Sequence, residues 1–230
     1  MDWAPFALSI RTASLATFIT FFLGIGAAQF VMKRKTLKGV IDGIFTLPMV
    51  LPPTVVGFFL LLVFGNQGVI GKFLQGFGHT IVFTWPATVI SASVVSFPLM
   101  YRTALGAFEQ VDREMIYAAR TLGASEHRIF WRILIPASRP GIVAGIILTF
   151  ARALGEFGAT IMIAGNIPGR TQTMSTAIYT AVQAGKRDVA FQWAIIIAGM
   201  SLVMMIALNT WSNFYVKSER YGADAYEHED

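Results

Sequence analysis

Arg152 and Glu156 are the only formal charges between Pro140 and Gly169. A base and an acid four residues apart share one face of a helix and can pair, although Arg before Glu is the weaker orientation. Two uses of such a pair are open. It can be a buried ion pair that fixes helix packing, or its face can line a path on which Arg152 offers positive potential. Gly155 and Gly158 place no side chains beside the pair and allow close backbone approach. Other reactive chemistry is thinly supplied. His79, His127 and His228 are far apart, and there is no cysteine, which removes Cys-ligated zinc, an iron–sulfur cluster, a disulfide framework and a Cys nucleophile. The sequence holds no His-Glu-x-x-His, Gly-x-Ser-x-Gly or Gly-x-x-x-x-Gly-Lys-Ser/Thr stretch. No catalytic residue, metal ligand or bound cofactor is therefore assigned, and the chain has no P-loop with which to hold ATP.

The elements around this pair follow from composition. Of 230 residues, 55% are hydrophobic and 13% charged, about half the charged share of a soluble domain. Mean hydropathy is +0.60. Too few polar side chains are present to cover a soluble surface, and the same hydrophobicity excludes disorder. The net charge of +5 reads as the basic bias of loops on one side of a membrane, not as a nucleic-acid footprint. A span needs about 20 apolar residues. Charge-free stretches predict five spans near 9–32, 43–65, 81–106, 139–164 and 189–216. The expected fold is all-α, a single polytopic transmembrane domain over 1–230. Arg152 would lie about 18 Å into the fourth span, near mid-membrane.

The first span is not read as a cleaved leader, because Asp2 precedes it and Lys33, Arg34 and Lys35 follow it. Twelve basic residues fall in the first connection, the third connection and the tail, against five on the other side. The N-terminus is therefore expected outside and the C-terminus in the cytoplasm of a cell inner (plasma) membrane. Pro48, Pro52 and Pro53 with Thr54, and Ser96 with Pro98, fall inside spans. Such breakers are tolerated where protein or a water-filled cavity covers them. They can be simple curvature or the border of a pathway. In the second case Pro52, Pro53, Thr54, Ser96, Pro98, Arg152, Glu156 and Gly158 belong to a translocation path or gate.

The third connection, 107–138, is long for a loop between spans, and loops of that kind are commonly functional. It reads as helix–turn–helix. Asp112 suits the cap of a first helix with Met115, Ile116, Ala119 and Leu122 at helical spacing, and Gly123 suits the position after it. Ser125 suits the cap of a second helix carrying Ile129, Phe130 and Ile133, ended by Pro136. Both apolar faces need a partner surface, either the chain's own spans, the lipid interface or another protein.

Tyr117-Ala118-Ala119, then Gly123, then Ile133-Leu134-Ile135-Pro136 resembles the "EAA" signature of ABC importer permeases. That pattern is Glu-Ala-Ala, three residues, Gly, nine residues and Ile-x-Leu-Pro. The spacing matches, while Tyr117 stands in place of Glu and Ile135 in place of Leu. Leu47 to Gly57, Phe64-Gly65 with Gly68 to Gly71, Ser96 to Met100, Ala119 to Gly123, Leu154 to Thr160 and Asn166 to Gly169 look like molybdate importer permeases. Sulfate/thiosulfate and tungstate permeases are close relatives. The resemblance implies a type I ABC importer permease working as a dimer with a second copy of itself. Tyr117, Ala118, Ala119, Leu122, Gly123, Ile129, Phe130, Ile133 and Pro136 would couple it to an ABC ATPase subunit present in two copies, which uses ATP-Mg. A periplasmic or extracellular substrate-binding protein would deliver a tetrahedral oxyanion, most simply molybdate.

Beyond the fourth span, Gly165 to Gly169 is turn chemistry at the outer mouth. Thr171 to Gly185 is polar and uncharged, and is expected to dip back under cover of protein and to meet the binding protein. Two rivals fare worse. An intramembrane enzyme lacks a nucleophile–base or metal set. A stand-alone channel or secondary transporter would show coupling-ion carboxylates and an internal repeat, yet Glu156 is the only acid within a span and no repeat is visible.

Overall fold

The computed structural model describes residues 2–34 and 36–227, with side chains as far as Trp211; Met1, Lys35 and residues 228–230 lie outside the described residues. Every regular element among the described residues is helical. Helix α1 (Ala4–Met32) opens with Pro5 in its first turn, where a missing N–H is harmless, and Asp2 accepts from the Ala4 N–H at 3.0 Å. Its inward face is built of small residues, Ser9, Thr12, Ala13, Ala16, Thr20, Gly24 and Ala28, which lets a neighbouring backbone come close. Phe18, Phe22 and Leu23 are exposed on the other face, as a lipid-facing surface requires.

The neighbour is α5 (Trp85–Glu109), the centre of the fold. A Cβ on Gly24 would stand 2.7 Å from Met100 Cγ. Thr12 and Thr88 hydroxyls are 3.0 Å apart, and the Trp85 indole N–H donates to Thr12 at 3.0 Å. Helix α5 also packs against α2 (Lys38–Val50), α8 (Arg139–Leu154) and α9 (Gly158–Ala164). Around them lie α3 (Pro53–Phe64), α4 (Val69–Gln75), α6 (Arg113–Thr121), α7 (Glu126–Ala137), α10 (Met174–Gln183) and α11 (Arg187–Glu227).

Among the described residues, three helices are long and apolar enough to cross a membrane: α1, α5, and α11 through Trp211. The number reaches five if each of two bent pairs is one span. The region expected as the second span is α2 and α3, bent by 108°. The bend falls at Leu51 and Pro52, because Pro52 and Pro53 supply no N–H to continue the ladder. The region expected as the fourth span stops at Leu154 and restarts at Gly158. By contrast α5 runs unbroken through Pro98.

Helix α2 buries no residue fully. Polar ties hold it to α5: the Tyr101 hydroxyl donates to Asp42 at 2.9 Å, Arg102 pairs with Asp42 at 3.2 Å, and Lys38 pairs with Glu109 at 2.6 Å.

Candidate functional site: a junction of broken helices and a coupling loop

The two helix breaks meet. A Cβ on Gly158 would lie 2.9 Å from Pro53 Cβ and 3.2 Å from Thr54 N, and one on Gly57 would lie 2.7 Å from Ala159 Cα. Helices α3 and α9 thus touch backbone to backbone at their first turns. Glu156 sits in the second break, 2% exposed. One carboxylate oxygen accepts from Arg152 Nη1 at 2.7 Å and the other from the Ala159 N–H at 2.8 Å. The same group therefore pairs with the end of α8 and caps the start of α9. Ser91 and Thr160 hydroxyls, 2.9 Å apart, fasten α9 to α5.

The members of the pair are not equivalent. Glu156 is enclosed, whereas the Arg152 side chain is 33% exposed, and a guanidinium has five donors in a fork suited to an oxyanion. Pro52, Pro53 and Thr54 are exposed at the facing break. Ser96 and Pro98, expected with them, are buried in α5, and the Ser96 hydroxyl donates to the Ala92 carbonyl at 2.7 Å. They offer no surface in this chain, because α5 is covered by neighbours where α2–α3 and α8–α9 open.

Since Gly57 meets a main-chain atom, a side chain there has no flexible neighbour to push aside. Gly57→Leu is expected to lower stability by about 1–3 kcal/mol or more through overpacking. Thermal unfolding of the detergent-solubilised protein measures this, with wild-type stability the contrary result.

The loop between α5 and α8 forms the expected helix–turn–helix. Asp112 accepts from the Glu114 N–H at 2.8 Å, and Ser125 from the Arg128 N–H at 3.4 Å. Gly123 takes φ +77°, the left-handed conformation that closes a helix. A Cβ there would meet nothing within 4 Å, so the need for glycine is conformational and not steric. Pro136 does not end the second helix. The chain widens into a π-helical turn over Phe130–Leu134, with the Ile135 N–H donating to the Phe130 carbonyl, and continues to Ala137. The bend of 72° into α8 follows at Ser138, whose hydroxyl donates to the Ala107 carbonyl at 3.2 Å.

The two halves of the loop are held differently. Ile129, Phe130 and Leu134 are buried, and the Phe130 ring meets Phe108 edge-on with centroids 6.0 Å apart. Ile129 and Phe130 therefore anchor α7 to the chain's own core and present no docking surface; the apolar face of α7 lies against the end of α5. Ala119, Ile133 and Pro136 are half-buried, and Tyr117, Ala118, Leu122 and Gly123 are exposed. Leu122 is 87% exposed, far more than an unpartnered leucine favours.

Across the Gly123 turn, Arg120 Nε and Nη2 donate to the two oxygens of Glu126 at 2.6 and 3.1 Å, and the guanidinium carbon lies 5.8 Å from the Tyr117 ring centroid. The hydrogen bond to Arg120 holds the Glu126 carboxyl below its usual range, and Glu126 raises Arg120 in turn. This fork went unread in the sequence, although a base and an acid three residues either side of a helix-ending glycine are a usable signal. The Asp42 ties were also missed.

On the far side, most of residues 171–181 is covered, whereas Tyr179 and residues 182–185 are exposed. The Met174 N–H donates to Ser9 of α1 at 2.8 Å, and Asn166 Nδ2 hydrogen-bonds the Thr180 hydroxyl.

The fold occurs in solved importers. The bacterial ABC transporter that imports the acidic polysaccharide alginate matches 91% of this chain and 78% of its own, at TM-score 0.73 and 20% identity. The MetNI methionine ABC transporter in an inward-facing conformation matches 93% and 98%, at TM-score 0.70 and 15% identity. Sequence relatives are nearer. The putative molybdenum transport system permease protein YvgM of Bacillus subtilis (strain 168) is 42% identical over 205 residues, 88% of this chain and 90% of its own. The molybdenum transport system permease protein ModB of Escherichia coli (strain K12) is 42% identical over 214 residues, 91% and 93%. Residues 20–218 match the family model described as binding-protein-dependent transport system inner membrane component. With a family match over most of its length and relatives 42% identical over nearly the whole chain, this chain belongs to the binding-protein-dependent transport system inner membrane component family.

Proposed function

We propose that this chain is the membrane-spanning subunit of an ATP-driven importer and that its cargo is molybdate, handed over by a periplasmic binding protein. The observation that supports the reading is the loop between α5 and α8: one helix is anchored in the core, and the other leaves Tyr117 and Leu122 exposed. The chain itself is a permease, and the ATPase is a separate subunit using ATP-Mg. Two copies of the chain with two ATPase copies complete the assembly, the N-terminus outside and the C-terminus in the cytoplasm.

A push on the exposed loop reaches α7, which is fixed to α5 through Phe130 and Phe108, and then the elbow at Ser138. Helix α8 leads from that elbow to Arg152 and Glu156 at the junction. Arg152 there offers a partly exposed positive charge, which lowers the cost of bringing a dianion between the broken helices. The α3–α9 contact moves as one piece because its backbones touch at Gly57 and Gly158.

A sulfate/thiosulfate or tungstate cargo is the second reading, since a relative named probable sulfate transport system permease protein cysT of Chlorokybus atmophyticus is 33% identical over 93% of this chain and 76% of its own. Uptake by the reconstituted complex decides between them. Molybdate accumulation that excess sulfate leaves unchanged supports the first; sulfate accumulation in its place overturns it. Reporter fusions after Lys38 and Arg139 are expected in the cytoplasm and one after Lys72 outside. A periplasmic Gly123 would defeat the coupling reading, because no ATPase could reach it.

A further inference from the structure

Helix α6 is an outrigger. It buries no residue fully, and Ile116 is its one side chain packed against the core cluster that holds Phe108, Phe130 and Leu134. Helix α7, in contrast, is fixed by Ile129, Phe130 and Leu134. Between them lies a turn whose glycine adopts φ +77° with open space around it, so packing at the turn does not set the angle between the helices. The fork of Arg120 on Glu126 spans this turn at 2.6 and 3.1 Å. Exposed ion pairs usually contribute little, and the exception is a two-point Arg–carboxylate geometry of this kind. The Tyr117 ring beneath the guanidinium limits its rotation further.

We propose that Arg120 and Glu126 are positioning residues of coupling: an ion-pair staple that holds α6 at a fixed angle to α7, so that force on the exposed face of α6 reaches the core. This rests on the reading that the loop docks an ATPase. The staple touches neither cargo nor nucleotide. It acts through stiffness: with the fork broken, α6 still presents Tyr117 and Leu122 but swings on the Gly123 turn, and part of each ATPase movement is lost in that swing.

The chain has no cysteine, so Arg113→Cys on α6 and Arg132→Cys on α7, both exposed positions outside the residues read as docking the ATPase, take spin labels in an otherwise unlabelled chain. In the assembled complex, made with a cysteine-free ATPase and with labelled chain diluted in unlabelled chain to suppress distances between copies, the labels are expected to give one narrow distance. Glu126→Gln is expected to broaden it, to leave ATPase co-purification at wild-type level, and to raise the ATP hydrolysed per oxyanion taken up at least about fivefold. Arg120→Lys, which keeps the charge and loses the fork, should fall between. The swapped pair Arg120→Glu/Glu126→Arg should restore both the narrow distance and the wild-type ratio. Unchanged distance and ratio in Glu126→Gln would overturn the staple. So would a swapped pair that restores the distance and not the ratio, since those side chains would then be contacting the ATPase directly. Failure of the unmutated chain to co-purify with an ATPase would instead defeat the coupling reading itself.

Discussion

Gly123→Asp is expected to abolish ATP-driven uptake while the permease still inserts and folds. A side chain at φ +77° strains the backbone by about 1–2 kcal/mol, and aspartate tolerates that region better than most residues, so the loop keeps its shape. The larger effect is on docking. The added carboxylate stands beside Leu122 on the most exposed part of the loop, and covering an unpaired charge in an interface costs several kcal/mol. Each 1.4 kcal/mol is tenfold in affinity, so ATPase co-purification should fall at least about a hundredfold. Gly123→Asn adds nearly the same shape without the charge and should retain most docking. Equal loss in both variants would assign the effect to the backbone, and wild-type uptake in Gly123→Asp would remove the turn from the docking surface.

Substitutions at Arg152 and Glu156 should have the second large effect, and the structure sharpens how they are read. Glu156 is buried with one oxygen on Arg152 and the other on the Ala159 N–H. Arg152→Leu strands half of that carboxylate inside the protein, a loss of about 3–5 kcal/mol. Replacing both residues by leucine removes the charges but also uncaps α9, a further loss of about 1 kcal/mol. The cleaner variant is Arg152→Leu/Glu156→Gln, in which the amide oxygen still accepts from Ala159. That double mutant is expected to regain wild-type thermal stability yet to import at least about tenfold more slowly. A unit charge about 4 Å from its partner is worth about 4 kcal/mol at an effective dielectric of about 20, ample for such a loss. Arg152→Lys in place of Arg152→Leu should recover part of the rate. A stable double mutant with wild-type uptake would reduce the pair to packing alone.

How much of this was legible beforehand differs from residue to residue. Asp112, Gly123 and Ser125 announced the helix–turn–helix, because caps and left-handed glycines act within four residues of themselves, a distance the sequence displays directly. The i, i+4 spacing of Arg152 and Glu156 foretold their contact in the same way. The burial of Ser96 and Pro98 could not be read beforehand, because a proline shows that a helix lacks one hydrogen bond, not whether neighbours cover the spot. The π-helical turn over Phe130–Leu134 was likewise not legible, and the helix runs one residue past Pro136, to Ala137.

By itself the sequence determined that the chain is a helical membrane protein with a capped helix–turn–helix loop, since hydrophobic length and capping are local quantities. Only the tertiary structure decided that two helix breaks face each other, that Glu156 closes one of them by capping α9, and that Ile129 and Phe130 point home while Leu122 points out. Amphipathic spacing shows that a face must be covered but not by what, and backbones meeting at Gly57 and Gly158 join residues a hundred positions apart, which only the folded chain brings together.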